Sequence, residues 1–283
     1  MASMLFGGAG LAYNRFTADG AYYIYPSAGV IQWTEPYLDL SDRTEVARGD
    51  VGDRTAVIVV VGQSLQVNSV PTAYVPVNSN IDQLNIWDGK LYKAKDPLLG
   101  INGGDPAHRG TWLLRMADKL ISDGLYDRVI IVPMAVGNTR VGQWSDPNLE
   151  PYLFRRINTV GLRMRDAGLP CTAIMWGQGE SDTRDGTSQA SYAASLQKVI
   201  GEFKRAIPGC PMLVAQEAYI YGTTSAAILA AQASVVNNTT VFAGENVELI
   251  PPSGRYDNTH LNEAGADQRA TLAVAALKAA LGL

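Results

Sequence analysis

Residues 56–62 read Ala-Val-Ile-Val-Val-Val-Gly, a run dominated by β-branched residues with no polar member. A strand so uniformly apolar has no face to give to water. It must therefore lie inside a sheet covered on both sides, the usual setting of parallel strands joined through helices. The rest of the chain fits this frame. Residues 128–135, 172–176 and 212–215 read as further strands. Residues 109–123, 150–167, 188–206, 225–236 and 262–281 carry helical spacing or alanine-rich composition, the first two stopping at Gly124 and Gly168. This alternation predicts an α/β fold with a central parallel sheet between helical layers.

A chain of 283 residues can bury a substantial core, and we expect one main domain, residues 51–283, preceded by a β-rich extension over residues 1–50. Within the extension, residues 21–40 are rich in Tyr, Trp, Ile and Val and are broken by Pro26, Gly29 and Pro36, the pattern of short strands. Residues 66–106 show little periodicity and much Pro, Asn, Gly and Asp, so they read as a long loop. Because that loop follows the first buried strand, and ligands bind beyond the carboxyl ends of such strands, it is expected to wall a substrate site.

With 23 basic and 27 acidic residues the chain has no basic face for a phosphate backbone, which argues against nucleic acid as a partner. No apolar run approaches the roughly 20 residues of a membrane span, and the opening MASMLFGGAG lacks the basic and apolar regions of a secretory signal, so a soluble protein is expected. The two cysteines, Cys171 and Cys210, each precede an expected strand. Two buried free thiols are the favoured reading over a disulfide, although neighbouring parallel strands would bring the two positions close.

Candidate general bases are few, since only His108 and His260 exist. His260 stands in DNTH, three residues after Asp257, a spacing at which a carboxylate can accept the imidazole Nδ1 proton and leave Nε2 free to take another. Alone, this is as well read as a helix cap beside a surface histidine. It gains force from GQSL, residues 62–65, at the end of the buried strand: Ser64 there stands at the carboxyl edge of the sheet with backbone N–H groups beside it. Two more strand ends carry polar motifs, VGNTRVGQW with Gly137 and GQGESD with Gln178, offering a backbone N–H and a side-chain amide to a developing oxyanion. Glu180 reads as an acceptor for loop N–H groups, ahead of a substrate contact or a partner for His260, and Asp182 as doing similar loop work. Gln63, Leu65, Gln66, Asn138, Arg140 and Trp144 fall in the expected rim, and His108 reads as a cap or packing residue near the start of the 109–123 helix.

The ordered set GQS, a Gly137-x-Thr139-x4-Trp144 segment, WGQGESD and a late DxxH resembles the SGNH-hydrolase superfamily, and most of all its sialic-acid O-acetylesterase-like and acetylxylan-esterase-like (carbohydrate esterase family 6) branch. The likeness covers residues 56–283. It implies a three-layer α/β/α sandwich of the flavodoxin-like kind and no metal or organic cofactor. It further implies Ser64 as nucleophile, Asp257 and His260 as its triad partners, and Ser64, Gly137 and Gln178 as the oxyanion hole. Leu65 stands where the branch carries Asn, and Gly177 where it often carries His. The expected activity is hydrolysis of short-chain esters, acetyl on carbohydrate being implied by the branch. Two competing readings are a broader carboxylesterase or arylesterase, with an apolar pocket from Leu65 and the Tyr- and Val-containing loop, and a non-catalytic carbohydrate-binding module of a larger assembly. Oligomeric state is not read from the sequence.

Overall fold

The computed structural model describes residues 40–101 and 109–283, together with the backbone of β1 (Asn14–Phe16) and β2 (Tyr22–Ile24), which pair antiparallel. His108 lies outside the described residues. The remaining strands among them form one eight-stranded sheet. Its centre is β4 (Thr55–Gly62), the apolar run, flanked by β7 (Arg128–Pro133) and β8 (Ala173–Gly177), both parallel to it. Beyond β8 lie β9 (Met212–Gln216) and β10 (Val241–Asn246), also parallel. Beyond β7 lie β5 (Ile81–Leu84), parallel, then β6 (Leu91–Lys93) and β3 (Glu45–Val46), each antiparallel to its neighbour.

The period-two geometry of β4 divides the interior into two cores. Val57, Val59 and Val61 pack with Leu153 and Ile157 of α3 (Pro151–Asp166), Leu196 and Phe203 of α5 (Gln189–Ala206) and Ile228 of α6 (Ala226–Ser234). Ala56, Ile58 and Val60 pack with Met116 and Leu120 of α1 (Leu113–Ser122) and with Ala270, Val274 and Leu277 of α7 (Glu263–Leu281). The result is the expected three-layer α/β/α sandwich. Two short helices, α2 (Val141–Ser145) and α4 (Glu180–Arg184), begin just beyond β7 and β8. The longer helices start where side-chain acceptors catch free N–H groups: Ser188, Ser225 and Asn262 cap α5, α6 and α7.

Two expectations are corrected. Residues 66–106 are not one long loop, because they contain β5 and β6. The polar residues that hide β5 in the sequence are buried and paired: Asp82 meets Lys93 at 2.8 Å and Arg128 at 2.7 Å, and the Gln83 side-chain oxygen accepts from Leu99 N–H at 2.8 Å. Within the expected 1–50 extension, Glu45 and Val46 pair with Tyr92 and Leu91 of the sheet. Finally, Cys171 and Cys210 form a disulfide, with Cα atoms 5.5 Å apart. Adjacent parallel strands start side by side, so residues just ahead of β8 and β9 meet. Among the described residues no helix is long and apolar enough to cross a membrane.

Candidate active site

The strand that buries itself so completely also aims the nucleophile candidate. β4 runs to Gly62 and ends against Gly177 of β8, the two strands being in register there. Gly62 has φ +142°, and a Cβ built on it would stand 1.8 Å from the Gly177 carbonyl oxygen, so only glycine permits this approach. The chain then turns through a single 3-10 turn, Ser64–Gln66, which leaves Ser64 half-buried at the carboxyl edge of the sheet. The Ser64 and Gly137 N–H groups have no backbone acceptor among the described residues. Both residues line a cavity of about 320 Å³ with Gln63, Ser69, Asn138, Ser181, Arg184, Ile220, Tyr221, Tyr256, Asp257, Thr259 and His260.

The last loop before α7 folds around one carboxylate. Asp257 accepts from the N–H groups of Thr259 at 3.0 Å and His260 at 2.6 Å through Oδ1, while Oδ2 lies 2.7 Å from His260 Nδ1. Burial works to raise the Asp257 carboxyl, but the hydrogen bonds from the His260 ring and the loop N–H groups outweigh it and hold it below its ordinary range. His260 therefore keeps Nδ1 toward the carboxylate and Nε2 for other work. Tyr256 stacks beside the ring at 5.9 Å between centroids. Ser64 and His260 come to the same cavity from opposite ends of the chain, without a hydrogen bond between their side chains in this structure.

Gln178 is placed differently from the sequence expectation. It is fully buried and is not a cavity-lining residue. Its amide nitrogen faces three acceptors, Gln63 Oε1 at 2.8 Å, Thr139 O at 3.1 Å and Asp182 Oδ2 at 2.7 Å, which is more than its two protons can serve. It has no donor left for an oxyanion. Asp182 also accepts from Val141 N–H at 2.9 Å and from the Thr187 hydroxyl at 2.8 Å, so it ties α4 to α2 beneath the cavity.

Most other rim candidates also move inward. Leu65 is core, with its carbonyl accepting from Trp112 Nε1 at 2.9 Å; Trp144 is core, donating to Thr139 Oγ1 at 2.9 Å. Gln66 is buried and donates to Glu217 at 3.2 Å, and Arg140 pairs with Asp185 outside the cavity. Glu180 is fully buried, accepting from Gly179 N–H at 3.0 Å; burial and the neighbouring Glu217 push its carboxyl well up, and it faces no histidine among the described residues. Gln63 and Asn138 do line the cavity. Of the remaining lining residues, Ser181 and Thr259 sit inside the motifs and Tyr256 directly before one, whereas Ser69, Arg184, Ile220 and Tyr221 carry no signal in their neighbours.

Residues 58–278 match the family model described as carbohydrate esterase, sialic acid-specific acetylesterase. The chain belongs to this carbohydrate esterase family. It is accordingly an acetylesterase, hydrolysing O-acetyl esters of carbohydrates. Solved structures share the fold of this esterase. A protein from Arabidopsis thaliana superposes with a TM-score of 0.65 at 20% identity, covering 80% of this chain and 98% of that one. A carbohydrate acetylesterase from Xanthomonas citri gives 0.55 at 15% identity, covering 81% and 57%, and NanS gives 0.52 at 15% identity, covering 82% and 98%. No curated protein matches the esterase by sequence.

Proposed function

We propose that the esterase works through a Ser64–His260–Asp257 triad and an acetyl-enzyme, on sugars presented at the Tyr221 and Tyr256 rim. The observation that carries this reading is the 2.7 Å bond between Asp257 and His260 Nδ1 in the cavity that also holds Ser64. Asp257 fixes the imidazole tautomer, and Nε2 takes the Ser64 proton as Oγ attacks the acyl carbonyl. The Ser64 and Gly137 N–H groups meet the negative charge that develops on the carbonyl oxygen. His260 then gives its proton to the leaving sugar hydroxyl, and water repeats the sequence to release acetate.

The cavity suits a small acyl group on a bulky alcohol. Tyr221 is 65% exposed and Tyr256 38% exposed, apolar faces of the kind on which a sugar ring packs. The reading as a broad carboxylesterase loses its premises, because Leu65 is core and Val75 and Val77 of the Tyr- and Val-containing loop stand in solvent at 83% and 87% exposure, away from the cavity.

Hydrolysis of p-nitrophenyl acetate, butyrate and octanoate and of an O-acetylated sugar, by wild type and by Ser64→Ala, tests the assignment. Turnover confined to acetyl esters and abolished in the variant is expected. Undiminished turnover in Ser64→Ala would remove Ser64 from the mechanism, and equal rates on octanoate would remove the acetyl preference.

A further inference from the structure

We infer that the third oxyanion donor is the side-chain amide of Gln63, and that Gln178 acts through it as a positioning residue. This assignment rests on the Ser64 nucleophile proposed above. The orientation of both amides follows from groups whose chemistry admits one choice. Gln63 Oε1 lies 3.1 Å from the Ser181 N–H, which can only donate, so the atom there must be the oxygen. Gln178 places its other contact on that same oxygen, and its amide group also faces the Thr139 carbonyl and the Asp182 carboxylate, which can only accept, so the atom there must be nitrogen. Turning either amide over would set oxygen against oxygen or N–H against N–H.

What remains is the Gln63 NH2 group. It has no acceptor among the described residues, it is not among the sealed polar atoms, and its residue lines the cavity beside Ser64 and Gly137. The Gln178 side-chain oxygen Oε1, by contrast, is sealed inside the protein without a partner among the described residues. The sequence Asp182, Gln178, Gln63 is therefore a chain of hydrogen bonds that ends on an amide with its donors turned to the site. Two bonds into the Gln63 oxygen polarise that amide and make its N–H groups better donors, and the buried chain holds them fixed before substrate arrives.

Gln63→Glu tests the inference, because the retained carboxylate oxygen still accepts from Ser181 and Gln178 while the donor end is lost. With the acetyl ester, kcat is expected to fall about 10²–10³-fold with KM within about threefold, as for loss of one oxyanion donor, and the thermal transition should show the variant folded. A second readout needs only the wild-type chain. With 15N-labelled glutamine, phosphonylation of Ser64 by a p-nitrophenyl phosphonate places a tetrahedral oxygen in the hole. The Gln63 side-chain N–H pair, assigned by three-dimensional spectra, should then shift downfield while the Gln178 pair stays in place. A folded Gln63→Glu enzyme with kcat within threefold of wild type, or a shift of the Gln178 pair alone, overturns the assignment. Failure of Ser64 to react at all, with Ser64→Ala as active as wild type, overturns the nucleophile reading itself and is told apart by that control.

Discussion

At Asp257 and His260 the side chains are 37% and 23% exposed; at Arg269 of α7, Glu217 just past β9 and Glu245 of β10, exposure is 0–2%. Both are clusters of carboxylate and cation-forming groups joined by short hydrogen bonds. Arg269 reaches Glu217 at 2.5 Å and Glu245 at 2.8 Å. Water separates their uses. The outer pair stands open to solvent at the cavity, as the proposed triad requires. The inner cluster has no such access, and each charge is stable there only while its partner remains. Chemistry and architecture thus draw on the same residue types, and access decides which one a carboxylate serves.

The largest expected effect lies in the outer pair. Asp257→Asn should lower kcat by up to about 10⁴-fold through the wrong imidazole tautomer. Its thermal transition should stay near that of wild type, because the asparagine oxygen still accepts the Thr259 and His260 N–H groups. A large fall in stability with intact kcat would erase the distinction between the clusters. The inner cluster should behave in the opposite way: Arg269→Met leaves two buried carboxylates unpaired and should cost about 3–5 kcal/mol in urea denaturation. If it unfolds no more easily than wild type, the inner cluster is not structural. A change remote from both supplies a control. Replacing Cys171 and Cys210 together by serine should lower stability by about 2–4 kcal/mol and leave kcat unchanged.

The smallest effect is a difference in pH dependence. Asp257 is held low, so its stabilisation is present above the ordinary carboxylate range, about 3.9, and is lost only as pH falls below it. Glu180 is held high by burial and Glu217, so the native state binds more protons than the unfolded chain between its two pKa values. Its contribution is greatest in acid, below about 4.3, and is lost as pH rises through the raised value. Melting temperatures of wild type and Glu180→Gln between pH 4 and 8 should therefore diverge as pH rises, with wild type losing relative to the variant. A constant offset across that range would contradict the raised carboxyl of Glu180.

The same distinction explains what could be read in the sequence. β4 announced itself because it buries only apolar residues, and the Asp257–His260 pair because its partners are three residues apart. β5 and β10 did not, because Asp82, Gln83 and Glu245 interrupt the apolar pattern, and their partners lie elsewhere in the chain: Arg128, Leu99 and Arg269. The disulfide depended on which strands are neighbours. The two glutamines of GQS and GQG are chemically alike and 115 positions apart, so nothing local says which one turns its donors inward and which toward the site.

Gly62 and Gly177 meet so closely that neither strand end can accept a side chain, and the motifs behind them are locked together through the core. The mouth of the cavity is built by other means, from the loops carrying Tyr221 and Tyr256, whose side chains look outward. A search for new substrate preferences would therefore be unproductive at the floor, where variation breaks the scaffold, and rewarding at the rim.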